Sequence, residues 1–299
     1  MKVIFMGTPD FAVPSLKTII DKGHDVVLVV TSPDKTKGRG LKISSSAIKN
    51  FALENNLEVS TPNKLNDENF INLIKELQPD VICVVAFKIL PESIFNIPKL
   101  GSFNLHGSLL PKYRGAAPIN HAIINGESQT GVTTFFLKKN VDTGDIILSD
   151  TIQITENMTA GELHDKMKYF GANIVGDTLD LISNNKVNLV KQNDVKSSPA
   201  PKIFRENCLI KFDLICEDLH NFIRGLSPYP GAYFTYNSKP LKIIKTLKTD
   251  RKCLNGELKL IDGKLLLGSL TDALEVLELQ PEGKKIMNAN DFINGRFIN

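Results

Sequence analysis

Apolar and polar positions along this chain change period repeatedly, and each change marks an element. Residues 2–6 form a short apolar run that stops at Gly7-Thr8-Pro9, as a buried strand feeding a helix-opening turn does. Val13, Leu16, Ile19 and Ile20 then recur at helical spacing, and Gly23 stands in the usual C-terminal position. A Val-rich strand follows over 25–31. After a polar stretch the spacing predicts a helix over 46–55, a short strand over 57–60, and a helix over 67–77 with Phe70, Ile71, Ile74 and Leu77 on one face. Residues 81–87 are an unbroken apolar strand. Such runs alternating with helices mean a parallel sheet covered on both faces. A strand over 102–105, a short helix ending at Ile124, strands over 130–137 and 146–154, and a helix over 158–183 complete this half.

The pattern changes near residue 190. Residues 187–202 end in KSSPAPK, with two prolines and two serines among few apolar positions, the composition of a linker. Beyond it a compact helix carries Leu219, Phe222, Ile223 and Leu226 as its stripe. A Pro- and Gly-rich turn leads to short strands over 232–236, 241–246, 257–261, 264–268 and 273–279. Short strands with polar turns favour a small barrel. The expected organisation is a catalytic domain over 1–189, a linker over 190–202 and a second domain over 203–299. The expected class is α/β, with an N-terminal Rossmann-like, mostly parallel open sheet and a C-terminal barrel.

Composition narrows the partners. The chain has 299 residues, 42% of them hydrophobic and 23% charged, which is ordinary for a soluble protein with a sizeable core. A net charge of +3 says nothing by itself about nucleic acid. No apolar run approaches the roughly 18 residues of a membrane span. The first apolar run, Val3 to Met6, is too short for a signal peptide. Cys83, Cys208, Cys216 and Cys253 show no CxxC spacing, so zinc and disulfides are not expected and a reduced cytoplasmic setting is. No GxGxxG follows a strand, so a dinucleotide site is not indicated.

The candidate chemistry lies in residues 101–149. Asn104 and His106 are two apart in a strand and share a face. Leu109-Leu110-Pro111 then ends the strand, because Pro lacks an N–H. Ligands of open α/β sheets bind beyond the carboxyl ends of strands, where this pair falls. Val141-Asp142-Thr143-Gly144-Asp145 is a turn carrying a carboxylate, and the hairpin-like arrangement of its flanking strands returns Asp142 toward the pair. Taken singly, each residue has a structural role: a turn-forming Asn, a satisfied His, an Asp in a turn. Together they suit acyl transfer to an amine. An amide and an imidazole stabilise the oxyanion, and a carboxylate orients the imidazole and takes part in moving the proton.

The run HGSLLPKYRGAAPINHAIINGE followed by DTGDI closely resembles the folate-dependent formyltransferases, most of all the branch whose acceptor is methionyl-tRNA. The likeness is strongest over 1–40, 101–147 and 222–234, where IRGLSPYPGA matches the family's C-terminal, OB-like domain. It implies Asn104, His106 and Asp142 as catalytic residues, with no departure at any of the three. It also implies that Ser108, Leu109, Leu110 and Pro111 contact the folate, that 10-formyltetrahydrofolate is the co-substrate without a metal, and that initiator methionyl-tRNA is the partner of a monomeric enzyme.

Two basic stretches bear on that acceptor. Residues 32–46 carry Lys35, Lys37, Arg39 and Lys42 against Asp34, a net +3, with Gly38 and Gly40 around the arginine. Such a loop is often plain solvated surface, but it suits phosphate contacts. The family resemblance implies that a basic Gly-Arg-Gly loop approaches the acceptor end of tRNA. Residues 239–252 carry a net +5, although a spacing of three does not keep side chains on one side of a strand. The rivals are a formyltransferase for another amine, such as an amino sugar nucleotide or glycinamide ribonucleotide, and an RNA-binding protein without turnover. The basic loop argues against the first, and the intact triad against the second.

Overall fold

The computed structural model describes residues 1–37 and 42–295. They form two compact units: one of residues 1–115, 131–152 and 165–199, the other of residues 116–130, 153–164 and 200–299.

The first unit is built on strands β1 (Lys2–Gly7), β2 (Asp25–Val30), β3 (Lys35–Lys37), β4 (Lys42–Ser44), β5 (Val59–Ser60), β6 (Val81–Val85), β7 (Ser102–His106), β8 (Gln129–Phe136) and β9 (Ile146–Gln153). Seven of them form one sheet in the order β5-β2-β1-β6-β7-β8-β9, and β3 and β4 make a separate antiparallel ribbon. Pairings from β5 to β7 are parallel, while β8 runs antiparallel to β7. The order reverses between β1 and β6, which places a crevice beyond the carboxyl ends of the central strands.

Its helices are α1 (Val13–Asp21), α2 (Ala47–Glu54), α3 (Glu68–Leu77) and α4 (Glu92–Phe95). Ser46 caps α2 by accepting from the Lys49 N–H, and Asp67 caps α3 by accepting from Asn69 and Phe70. Phe70 and Ile74 of α3 and Ile94 and Phe95 of α4 cover Ile4, Met6, Leu28, Val30, Ile82 and Val84 on one sheet face. α1 and α2 pack against β2. Ile4, Met6 and Ile82 are fully buried, each contributing about 1.5–3 kcal/mol relative to exposure. Both faces are thus covered, as the unbroken apolar strands require.

The second unit holds α5 (Pro118–Ile124) and, after the long α6 (Ala160–Ser183) begins, α7 (Cys216–Gly225). Its strands are β10 (Ala232–Tyr236), β11 (Lys239–Lys248), β12 (Leu258–Ile261), β13 (Lys264–Gly268), β14 (Ala273–Pro281) and β15 (Met287–Asn288), followed by α8 (Ala289–Asn294). The strands pair antiparallel in the order β10-β11-β14-β13-β12, with β15 on β14. This is the antiparallel β domain expected for the C-terminal half; among the described residues no pairing joins β10 to β12. Its core joins Leu219 and Ile223 of α7 to Leu241, Ile243, Leu267, Leu274 and Phe292, with Ile124 of α5 packed against them. A side chain at Gly225 would come 2.6 Å from Ile124, so the glycine lets α5 and α7 touch.

The sequence alone shows neither β15 nor α8. It also suggests a continuous second domain after residue 202, whereas residues 116–130 and 153–164 belong to this unit too. No helix among the described residues is long and apolar enough to cross a membrane.

Candidate active site

β7 delivers Asn104 and His106 on one face, at the edge between its parallel neighbour β6 and its antiparallel neighbour β8. His106 is buried and its Nε2 lies 2.8 Å from the Tyr113 carbonyl oxygen. A carbonyl only accepts, so Nε2 carries a hydrogen and donates it. The nitrogen free to exchange a proton is Nδ1, and it faces Asp142 Oδ2 at 3.7 Å. Phe135 meets the imidazole edge to face, 6.5 Å between ring centres. The Asn104 amide is half-buried and has no hydrogen-bond partner among the described residues.

Backbone geometry brings Asp142 to the histidine. Its φ of 54° is left-handed, a conformation that a short polar side chain tolerates. At Gly144 a Cβ would sit 1.6 Å from the Phe136 carbonyl oxygen, so only glycine allows the turn to fold onto the end of β8. Asp142 Oδ2 also accepts the Gly115 N–H at 2.9 Å, which ties the turn to the loop after β7.

That loop, residues 107–115, holds its shape through polar bonds. The Ser108 hydroxyl donates to the Lys112 carbonyl at 2.6 Å. The Thr133 hydroxyl donates to the Ser108 carbonyl at 2.7 Å and accepts from the Leu110 N–H at 3.2 Å. Ser108 is fully buried, so its hydroxyl serves the turn, while Leu109 and Pro111 are half-buried and Leu110 is buried.

Residues 190–199, which composition marks as linker, are bound into this unit. Val190 and Ile146 exchange two backbone hydrogen bonds, at 2.8 and 3.0 Å. Gln192, only 7% exposed, donates through Nε2 to the carbonyls of Asp142 at 2.9 Å and Gly144 at 2.8 Å. Its Oε1 accepts from Arg114 Nε at 3.0 Å and Nη2 at 2.7 Å, and Nη2 also reaches Asp194 Oδ1 at 2.7 Å. Ser198 accepts from the Tyr113 N–H through its hydroxyl and from the Arg114 N–H through its carbonyl, both at 2.9 Å. Thr133, Gln192 and Ser198 thus support the site without any sequence signal.

The basic stretches fare differently. Lys35 and Lys37 lie in β3 and Lys42 in β4, while Arg39 lies outside the described residues. Asp34 is held by Lys49 at 2.7 Å. Within 239–252, Lys248 pairs with Glu156 and Glu217, Arg251 with Asp262 and Lys252 with Asp272. Lys239, Lys242 and Lys245 have no carboxylate partner among the described residues. The pairing of β11 with β14 shifts register around Lys245. Strict alternation breaks there, so Lys242 and Lys245 are both partly exposed while Leu241, Ile243, Ile244 and Thr246 are buried.

A strand-end amide and imidazole with a carboxylate on the facing turn accord with acyl-transfer chemistry, and the chain belongs to the formyl transferase family. The family's Formyl transferase model matches residues 1–179, and its Formyl transferase, C-terminal domain model matches residues 202–296. Among its relatives is the methionyl-tRNA formyltransferase of Clostridioides difficile (strain 630), 46% identical over 302 residues that cover 100% of this chain and 98% of the relative. That of Ruminiclostridium cellulolyticum is 43% identical, covering 100% of this chain and 97% of its own. Solved structures with a similar fold include a Helicobacter canadensis N-formyltransferase in complex with folinic acid and dTDP-3-aminofucose, at a TM-score of 0.71, 23% identity and coverage of 94% and 99%. The sugar 3N-formyl transferase WlaRD, with dTDP and 5-N-formyl-THF, matches at a TM-score of 0.70, 24% identity and coverage of 95% and 99%.

Proposed function

We propose that this chain transfers the formyl group of 10-formyltetrahydrofolate to the α-amino group of initiator methionyl-tRNA, acting as a cytoplasmic monomer. The observation that carries the reading is identity of 42–46% across essentially the whole chain to proteins named for that reaction, both units included. The sugar-acting proteins share the fold at 23–24% identity.

The folate supplies the formyl carbon. The half-buried, unpartnered Asn104 amide suits its carbonyl, since a donor with no internal bond is free to meet the oxygen on which charge develops. The α-amino group has a reference pKa of roughly 7.7–8.0, so free amine is present near neutrality. The harder tasks are holding the oxyanion and supplying a proton to the departing folate nitrogen. Asn104 donates to the oxyanion. His106, anchored through Nε2, carries the mobile proton at Nδ1, and Asp142 orients the ring and stabilises its charged form. Leu109, Leu110 and Pro111 offer the folate a shaped apolar edge, with Ser108 holding that turn. Lys35, Lys37, Arg39 and Lys42 contact the RNA phosphates.

The test is turnover. Purified protein with 10-formyltetrahydrofolate is expected to formylate methionyl-tRNA and to leave amino sugar nucleotides unmodified. Formylation of the sugar amine with no reaction on methionyl-tRNA would overturn the acceptor assignment.

A further inference from the structure

The second unit carries a cleft of about 680 Å³ with no part in the chemistry above. Small-ligand sites span about 300–1,000 Å³. Its walls combine exposed aromatic rings with cations. Tyr229 is 83% exposed and Phe204 51% exposed, and both line the cleft. Tyr233 of β10 lies directly across from Lys242 of β11. The Arg205 guanidinium sits 5.8 Å over the Tyr233 ring, and Lys202 Nζ lies 5.2 Å over the Phe204 ring.

The lysine has a prepared place. A Cβ at Gly231, whose φ is 88°, would come 2.9 Å from Lys242 Cδ, so the glycine leaves the room that the lysine stem fills. Lys242 Nζ donates to the Pro230 carbonyl at 2.7 Å. A carbonyl orients the ammonium without neutralising it, and neither Lys242 nor Arg205 has a carboxylate partner among the described residues. Arg205, Lys242 and Lys284 outnumber Glu282 along the lining.

Exposed rings beside unpaired cations are what a single-stranded nucleotide needs: every base offers a π face, and the cations meet the phosphate. We propose that this cleft binds unpaired nucleotides of RNA, with bases stacked on both Tyr229 and Phe204 and the phosphates on Arg205 and Lys242. That the RNA is the tRNA substrate rests on the function proposed above; the cleft's chemistry does not.

The full-length protein is titrated with a fluorescein-labelled single-stranded oligoadenylate hexamer, followed by anisotropy over a salt series. The wild type binds. Tyr229→Ala and Phe204→Ala each weaken binding by about tenfold, the scale of one lost base stack, while Tyr229→Phe keeps wild-type affinity. Lys242→Gln lowers the salt slope by about 0.7. Both rings face solvent, so an unchanged thermal midpoint is expected in the ring variants. No binding by the wild type, or equal binding by wild type and both ring-to-alanine variants, overturns the cleft. The hexamer carries no aminoacyl group. A protein that binds it through Tyr229 but does not formylate methionyl-tRNA would sink the acceptor assignment and leave the cleft standing.

Discussion

The side-chain amide of Gln192 donates to the backbone carbonyl of Asp142 at 2.9 Å, and so holds the turn that points Asp142 at His106. Gln192→Glu keeps an acceptor for Arg114 but sets a carboxylate against the carbonyls of Asp142 and Gly144. Each buried carbonyl left unpaired costs about 1–3 kcal/mol. The turn is expected to shift, lowering kcat by at least about tenfold with both KM values within about twofold. Steady-state kinetics on both substrates checks this, and a wild-type kcat in Gln192→Glu would separate the turn from the chemistry.

His106→Ala and Asp142→Asn are each expected to reduce turnover by about 10²-fold or more, the usual contribution of a positioned proton carrier. Binding of 5-formyltetrahydrofolate, measured by calorimetry, should persist, because Leu109 to Pro111 are untouched. Half the wild-type rate at saturating substrates would remove that residue from the mechanism.

Gly144→Ala tests the turn by a different route. The new methyl group would sit 1.6 Å from a backbone oxygen of β8, so the backbone itself must move. The expected loss is about 1–3 kcal/mol of stability, together with most of the activity. Chemical denaturation and a rate assay on the same preparation read both. An active variant of wild-type stability would mean that the turn yields more easily than the close approach implies.

Arg39 carries the RNA expectation. Each phosphate contact on a duplex contributes a salt slope of roughly 0.9. Arg39→Ala should weaken use of methionyl-tRNA and flatten the salt dependence by about one contact, leaving folate binding unchanged. Kinetics on charged tRNA across a salt series decides it, since an amino-sugar acceptor would show neither effect.

His220 predicts a pH effect on stability rather than rate. It is 1% exposed, its Nδ1 meets the Thr246 hydroxyl at 2.8 Å, and its Nε2 faces the Glu156 carbonyl. Burial lowers its pKa below the usual 6.5, and the nearby Arg224 and Lys248 charges add to the effect against Glu217. The folded state therefore resists the proton that the unfolded chain takes up. The resulting stability is complete above about pH 6.5 and is lost as pH falls toward the lower folded value. His24 is shifted the same way, by burial and the N-terminal charge. The thermal midpoint should drop between pH 7.5 and 5.5 by more in the wild type than in His220→Asn; parallel curves would contradict the assignment.

The parallel core is legible in the sequence because strands such as 81–85 are apolar on both faces, which only a covered sheet explains. Asn104 and His106 are legible because their spacing of two matches the strand period. Asp142 is legible as a turn, although its contact with His106 depends on a left-handed backbone and on Gly144. The Gln192 support leaves no trace, because its bonds go to backbone carbonyls and an arginine, which impose no hydrophobic period. For the same reason residues 190–199 read as linker. The lysine spacing on β11 misleads for a local reason: a register shift breaks the alternation that a regular strand would keep.

The second unit is discontinuous, and this sets an order on synthesis. The chain passes between the units after residues 115, 130, 152, 164 and 199. Made from the N-terminus, it releases α5 and residues 153–164 from the ribosome long before the strands of the second unit exist to receive them. Ile124 then waits with its apolar side uncovered until the core it packs against has emerged, a cluster that begins at Cys208 and ends at Phe292. The first unit can close once Ser198 has emerged. During that interval the nascent protein has its candidate catalytic residues assembled and its second unit still open, a window in which chaperones that bind apolar segments have a defined place to act.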